Sequence, residues 1–82
     1  EVETVITRWN IARALAALEK TEEAVSAYQE LYEDLKDNPE FLEAYVYLLR
    51  EAEDVSKARE VANQYLAIVP DDVQMQTLYD SL

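Results

Sequence analysis

Apolar residues recur at intervals of three and four along this chain, with short polar breaks between the apolar stretches. The clearest stretch is Asp54–Val73, which has a start signal at Asp54 or Ser56 and a stop at Pro70. Its apolar stripe has helical spacing and consists of Ala58, Val61, Ala62, Tyr65, Leu66 and Val69. Because proline cannot continue the hydrogen-bond ladder of a helix, we expect this helix to end just before Pro70.

The same spacing predicts four other helices. We expect them at about Val2–Leu18, from Thr21 onward, at Pro39–Ala52 and from about Asp72 onward. The residues predicted to face inward in the first three helices are, in chain order, Ile11, Ala12, Leu15 and Leu18, then Ala24, Tyr28, Leu31, Tyr32 and Leu35, and last Leu42, Tyr45, Val46 and Leu49. The fifth helix is short, and its apolar residues are Val73, Met75, Leu78, Tyr79 and Leu82.

Polar residues at the breaks mark where the helices begin. Asn38 is predicted to cap the third helix with Pro39 in its first position, because asparagine accepts from free amides and proline has none to satisfy. Thr21 is predicted to cap the second helix, and Asp71 with Gln74 resembles a capping box for the fifth. Because the breaks between helices are so short, we expect consecutive helices to pack as antiparallel neighbours.

Composition supports a single all-α domain. The chain has 82 residues, of which half are apolar, with no glycine and only two prolines. Sheet-rich folds need more turn residues than this. Cysteine is absent, so there is no disulfide framework to indicate a compartment.

The chain also repeats itself. When residues 5–38 are aligned with residues 39–72, Ala24 aligns with Ala58 and Leu15 with Leu49. The polar breaks between helices align as well. A period of about 34 residues with two helices per unit resembles the tetratricopeptide repeat, whose pattern includes an alanine, an aromatic residue four positions later and a closing proline. The first unit supplies the alanine and aromatic of that pattern, and the second supplies the alanine and Pro70.

The resemblance implies a divergent helical repeat. It covers repeat one at 5–38, repeat two at 39–72 and a partial third repeat or capping helix at 73–82. Val46 stands where the family has a small residue, Ala62 where it has an aromatic, and Trp9 lies one position past the tryptophan slot. Chance self-similarity in an alternating helical bundle is the alternative interpretation.

The resemblance implies a binding surface lined by the first helix of each unit. Trp9 and Arg13, followed by Ala16, lie on one side of the first helix, and Thr77 continues the row on the fifth. The equivalent line on the third helix consists of Glu43, Tyr47 and Arg50. Tryptophan, tyrosine and arginine off the core are types favoured at interfaces. The alternative for Trp9 is structural, either covering the exposed end of the first unit or buried beneath an upstream repeat.

Net charge narrows the class of partner. At −11 the chain repels phosphate backbones, so nucleic acid is disfavoured. We expect a protein or peptide partner, and Glu40 and Glu43 favour a basic or amphipathic segment. Some members of the family hold a C-terminal carboxylate with basic and amide side chains, but these glutamates disfavour that mode here. The alternative to a basic partner is that the acidic residues only keep the helical surface well solvated.

No catalytic, cofactor or metal site is predicted. Histidine and cysteine are both absent, which removes the usual proton shuttles, thiolate nucleophiles and soft ligands. No glycine-rich phosphate loop or calcium loop is present. The closing tripeptide Asp80-Ser81-Leu82 resembles an acyl-carrier attachment site, but it follows a helix instead of opening one.

We therefore expect a non-catalytic protein-interaction module. The alternative is a structural or oligomerisation segment that associates through open ends near Val2 and Ile6 and near Met75, Tyr79 and Leu82. About three repeats normally make a stable stack, and this chain has roughly two and a half, so we expect an excised slice of a longer array. No apolar run is long enough to span a bilayer, and a soluble chain is expected, with the cytoplasm slightly favoured.

Overall fold

The computed structural model describes residues 4–82, and this part of the chain folds into five α-helices. Their bounds are α1 Val5–Ala17, α2 Thr21–Leu35, α3 Pro39–Glu51, α4 Val55–Ile68 and α5 Val73–Ser81. No strand occurs within these described residues. The predicted all-α fold class is confirmed, and the predicted helix bounds differ from these by a few residues at most. The predicted start of the first helix at Val2 lies outside the described residues.

The helices pack in chain order. The closest pairs are α1 with α2 and α3 with α4, while α2 packs on α3 and α4 packs on α5. The result is an elongated array measuring 41 × 24 × 17 Å. α3 therefore occupies the centre, and six of its thirteen residues are buried.

The turns that end α1 and α3 have the same geometry at equivalent positions of the two repeats. After α1, the Glu19 amide donates to Ala16 O at 3.0 Å and the Lys20 amide to Leu15 O at 2.9 Å. After α3, the Glu53 and Asp54 amides make the equivalent bonds to Arg50 O and Leu49 O, both at 3.0 Å. This is the Schellman motif, which requires a left-handed residue after the helix.

Both left-handed positions hold glutamate, with φ of 63° at Glu19 and 64° at Glu53. Glycine normally occupies this position because it has no Cβ to clash with the backbone. Each glutamate therefore carries a conformational cost of about 1–2 kcal/mol. The repeated turn is kept despite that cost because it directs α2 and α4 back along their partner helices.

The predicted start signals Asn38, Pro39 and Asp54 are confirmed, and the predicted caps Asp71 and Thr21 are wrong. Asn38 Oδ1 accepts from the Glu40 amide at 2.9 Å, with Pro39 in the first turn, and the Asp54 carboxylate accepts from Lys57 N at 3.3 Å. The cap of α5 is Asp72, which accepts from Met75 N at 3.1 Å, instead of the predicted Asp71. Thr21 lies inside α2, whose cap position is Lys20 and has no side-chain hydrogen bond.

Alanine allows close packing within each helix pair. Ala24 and Ala58 occupy the fourth position of α2 and α4, and both are 0% exposed. Ala12 and Ala62 are equally buried on α1 and α4. Overpacking at a fully buried position typically costs about 1–3 kcal/mol, so we expect larger side chains here to destabilise the domain. Ala24 and Ala58 are thus both fully buried, 34 residues apart.

The predicted inner stripe of α1 is wrong at two positions. Leu18 and Ile11 are 67% and 51% exposed. Ala12 is buried as predicted, and the second buried residue of α1 is Trp9, which the predicted stripe did not include. α1 carries apolar residues on several sides, so its own pattern does not decide which side faces inward, and the aromatic residues of α2 and α3 decide it.

Smaller corrections concern the other helices. Phe41 and Leu48 join the predicted buried set of α3. Tyr32, Leu66 and Val69 are half-buried at the edge of the core. In α5 only Met75 and Leu78 are buried, and Val73 is exposed.

Replacing a left-handed glutamate by glycine should stabilise the chain. In Glu53→Gly, relief of the left-handed cost exceeds the added entropy of the unfolded chain, so we expect a net gain of about 0.5–1 kcal/mol. A gain of about 1 kcal/mol corresponds to a rise in Tm of about 4–8 °C for a domain of this size. Thermal unfolding followed by circular dichroism measures it.

The matched control is Glu51→Gly, two residues earlier but inside α3. Glycine at a helical position should lower stability by up to about 1 kcal/mol. Equal losses in both variants would show that the turn after α3 does not strain Glu53.

Candidate functional site

Three hollows lie on one face of the array, where α1, α3 and α5 are exposed, and we call this the groove face. The α1–α3 hollow has a volume of about 340 Å³ and is lined by Arg13, Ala16, Tyr28, Ala44, Tyr47, Leu48 and Glu51. The α3–α5 hollow, of about 460 Å³, is lined by Tyr47, Arg50, Val73, Gln74, Thr77, Leu78 and Ser81. The third hollow is lined by Trp9, Arg13, Glu40 and Ala44.

Tyr47 lines two of these hollows. Its side chain is 39% exposed and contributes to the walls of both the α1–α3 hollow and the α3–α5 hollow. The Arg50 guanidinium lies 5.4 Å from the centre of the Tyr47 ring. This cation–π contact holds the guanidinium on the groove face, and it makes an aromatic and cationic ridge between the two hollows.

Arg13 is held in a similar way on α1. Its guanidinium carbon lies 5.5 Å from the centre of the Trp9 ring, and its Nη1 donates to Asn10 Oδ1 at 3.3 Å. Arg13 lines both the α1–α3 hollow and the third hollow. The ring and the amide together restrict the rotamers of this arginine, which lowers the entropy lost when it binds a partner.

The expectation that Trp9 lies off the core is wrong. Its indole is only 8% exposed, and its Nε1 donates to the Tyr28 hydroxyl at 3.2 Å. The indole also meets the Phe41 ring edge-on, with 5.7 Å between the ring centres. Trp9 reaches the groove face only as one wall of the third hollow, so its role as a partner contact stays a prediction.

Glu43 does not line any of these three hollows. Its carboxylate is close enough to Tyr65 to help raise the pKa of that hydroxyl, after the hydrogen bond from Tyr65 to Asp72 and burial. The Glu43 charge therefore acts on Tyr65 of α4 without lining any of the three hollows.

Sequence reasoning missed the residues that make the hollows. Ala44, Leu48 and Glu51 line the α1–α3 hollow with Tyr47. They follow the spacing i, i+4 and i+7 along α3, which is itself a helical-face pattern. The predicted row of Glu43, Tyr47 and Arg50 lies one residue earlier, about 100° around the helix, and the hollows take wall residues from both rows. Ala16 was part of the predicted row on α1, whereas Leu48 and Glu51 were not predicted to line a surface.

A hydrogen bond between α4 and α5 sets the position of the α3–α5 hollow. The Tyr65 hydroxyl donates to Asp72 Oδ2 at 2.5 Å, while Asp72 Oδ1 accepts from the Met75 amide at 3.1 Å. These bonds, chiefly the one from Tyr65, lower the pKa of Asp72. The same bond, together with burial, raises the pKa of Tyr65. One carboxylate thus caps α5 and ties it to α4.

The groove face combines apolar and charged side chains. Apolar floors at Tyr28 and Leu48 lie beside arginine and glutamate rims. Within residues 4–82, no group of acidic side chains is arranged to hold a metal ion. No helix among these residues has the length and hydropathy that crossing a membrane requires.

Comparison with known families decides the class of repeat. Residues 6–72 match the model of the YpiA-like, C-terminal tetratricopeptide repeats. The chain belongs to the YpiA-like C-terminal tetratricopeptide repeat family. The predicted resemblance to the tetratricopeptide repeat is confirmed. No curated protein and no solved structure matches the chain.

Membership in the tetratricopeptide repeat family indicates a general role in protein–protein interaction or scaffolding. Such domains are generally non-catalytic, and their usual partners are proteins. The match begins within α1 and ends at Asp72, the residue that caps α5. The helices α2, α3 and α4 thus lie wholly within the matched residues, α1 does so except for Val5, and Tyr47 and Arg50 are included.

Loss of the Asp72 charge should loosen α5. The pKa of Asp72 is lower in the folded chain than in the unfolded one, so its contribution to stability is complete above about pH 3.9. The contribution is lost as the pH falls through the folded pKa. We expect Asp72→Asn to show faster hydrogen exchange in α5 at neutral pH, with much less further change on acidification.

Asp71→Asn is the matched control, because Asp71 is the exposed neighbour and does not cap the helix. Hydrogen exchange of the α5 amides is measured at pH values from 7 to 3. Equal protection of α5 in Asp72→Asn and in the parent chain would contradict the role of this carboxylate.

Proposed function

We propose that this tetratricopeptide repeat domain is a non-catalytic interaction module that binds a segment of a protein partner across the groove face. The repeats that present this face are 5–38 and 39–72, with a partial third repeat at 73–82. The proposed contacts are Arg13, Tyr47 and Arg50 at the centre, Glu43 on α3, and Trp9 beneath Arg13.

The observation that carries this proposal is the position of Tyr47. It is a half-exposed aromatic residue shared by two adjacent hollows, with a guanidinium on its ring. Exposed aromatic residues beside apolar depressions are where binding energy concentrates at interfaces. A partner segment that crosses the ridge at Tyr47 reaches both hollows, and each has room for a large apolar side chain.

Charge favours a basic segment. Glu40 and Glu51 line hollows, Glu43 is a further acidic residue of α3, and the whole chain carries −11. Arg13 and Arg50 keep their positive charges above aromatic rings and oppose this locally, but the chain has 18 acidic residues against 7 basic ones. The long-range field therefore steers a positively charged partner towards the domain.

Substitution of Tyr47 tests the proposal directly. A peptide ligand is selected from a random-sequence library with the intact chain, and its Kd is measured by calorimetry. We expect Tyr47→Ala to weaken binding at least tenfold, because truncating a central aromatic contact typically costs more than about 1.4 kcal/mol. Trp9→Ala is a poor probe, because deleting a buried tryptophan costs about 3–5 kcal/mol of stability.

Val55→Ala serves as the control, since Val55 is exposed on α4 and lies outside the three hollows. It should leave the Kd unchanged. Charge reversal in Glu40→Lys and Glu43→Lys should weaken a basic ligand. Equal affinities of the Tyr47→Ala and Val55→Ala chains for the peptide would show that the peptide does not bind at the groove face.

A structural or oligomerisation role is the second candidate, and exposed apolar residues at the two ends favour it. Ile6 and Ile11 are exposed on α1, and Val73 is exposed on α5. Tyr79 and Leu82 are half-buried, whereas Met75 is buried and is not available at this end. Val2, predicted as part of the first end, lies outside the described residues.

Molecular mass in solution separates the two candidates. Sedimentation equilibrium at micromolar concentrations should give a monomer if the domain is a binding module. A tight dimer that dissociates in an Ile6→Asp variant would favour the assembly role.

A further inference from the structure

A buried hydroxyl group lines the α1–α3 hollow and still has a hydrogen to donate. It belongs to Tyr28, which is 2% exposed. The hydroxyl oxygen accepts from Trp9 Nε1 at 3.2 Å, and the direction of this bond is fixed because an indole nitrogen can only donate. The hydrogen bonds of residues 4–82 include no acceptor for the Tyr28 hydrogen. The hydroxyl is therefore a donor that the hollow offers to a ligand.

A second donor lies beside the same indole. The Arg13 guanidinium lies over the Trp9 ring, with its carbon 5.5 Å from the ring centre, and Arg13 lines the same hollow as Tyr28. The two donors thus contact one side chain, Arg13 at the ring face and Tyr28 at the ring nitrogen. An acceptor atom of a ligand in this hollow can bind both.

The third helix supplies an acceptor on the opposite wall. Glu51 lines the hollow from α3, whereas Arg13 lies on α1 and Tyr28 on α2. No ion pair within residues 4–82 joins Arg13 to Glu51, so the two charged groups do not close the hollow by themselves. A ligand group that enters meets donors from α1 and α2 and an acceptor from α3.

We propose that the α1–α3 hollow binds a glutamine side chain of the partner segment. The carboxamide oxygen accepts from Tyr28 and Arg13, and the carboxamide nitrogen donates to Glu51. The methylene groups of the glutamine lie on the apolar lining, which includes Ala16 and Ala44. This inference rests on the proposed function, since it names one side chain of the segment that crosses the groove face.

Other side chains satisfy only part of this hollow. A wholly apolar side chain would bury the Tyr28 donor without a partner, which weakens binding. A carboxylate would meet both donors but would be repelled by Glu51, and a basic side chain would meet Glu51 but would be repelled by Arg13. A hydroxyl has both roles on one oxygen, whereas a carboxamide separates them on two atoms, as donors and acceptor on different helices require.

Parallel selections test the proposal. A random-sequence peptide library is selected with the parent chain and with Tyr28→Phe, which removes the hydroxyl and keeps the stacked ring. We expect glutamine to be enriched at one position of the peptides that bind the parent chain, and the enrichment to disappear with Tyr28→Phe. It should persist with the matched control Tyr45→Phe, which removes a hydroxyl from a stacked ring that lines none of the three hollows.

A double-mutant cycle measures the contact itself. One peptide selected with the parent chain is compared with a copy that has methionine, a side chain of similar length, in place of the glutamine. We expect this replacement to raise the Kd about tenfold for the parent chain and only about threefold for Tyr28→Phe, where one of three hydrogen-bond partners is gone. Glu51→Ala, at an exposed position, should reduce the effect similarly without altering the core.

Four results would overturn the proposal. Peptides without a shared glutamine, whose binding still depends on Tyr47, would leave the proposed function intact and exclude the glutamine contact. Equal effects of the methionine replacement on the parent chain and on Tyr28→Phe would place the glutamine away from the hydroxyl. If Tyr28→Phe weakens binding and the methionine replacement does not, a main-chain amide of the peptide meets the hydroxyl instead. A library that yields no ligand would contradict the proposed function as well.

Discussion

Aromatic packing around Phe41 joins the two halves of this domain. The Phe41 ring stacks on Tyr28 at 5.2 Å, meets Trp9 edge-on at 5.7 Å and lies 5.8 Å from Tyr45. These four side chains come from α1, α2 and α3, so one cluster spans the junction between the first helix pair and the second. Such pairs contribute about 0.5–1.5 kcal/mol each beyond the area they bury. Burial raises the pKa of Tyr28, and its hydroxyl oxygen accepts from Trp9 Nε1. The groove face depends on this junction, because it fixes the position of α3 relative to α1.

Local physics made much of the fold predictable. Asn38-Pro39 and Asp54 marked the starts of α3 and α4 because capping is a local interaction between a side chain and amides two or three residues away. The inward faces of α3 and α4 were also predicted well, since both helices have one clear apolar stripe. α1 has apolar residues on several sides, and its true inward face depends on rings from α2 and α3. That information lies far away in the sequence, as the bond between Trp9 and Tyr28 shows, and no periodicity within α1 contains it.

The groove face was predicted in part for similar reasons. Arg13, Tyr47 and Arg50 do line the hollows, because interface residue types at helical spacing identify the exposed side of a helix. The depth of the hollows comes from Ala16 and Ala44, whose importance is the space they leave beside larger neighbours. Packing of one unit against the next thus determines this surface.

The central claim is that the Phe41 cluster makes the two helix pairs one cooperative unit. Native-state hydrogen exchange tests it most directly, with the free energy of opening measured at Leu31 in α2 and at Ala62 in α4. In the parent chain we expect the two amides to exchange through the same opening, and in Phe41→Ala we expect Leu31 to exchange at a clearly lower free energy than Ala62. If the two amides already differ in the parent chain, and Phe41→Ala leaves that difference unchanged, the helix pairs fold independently and the account is wrong.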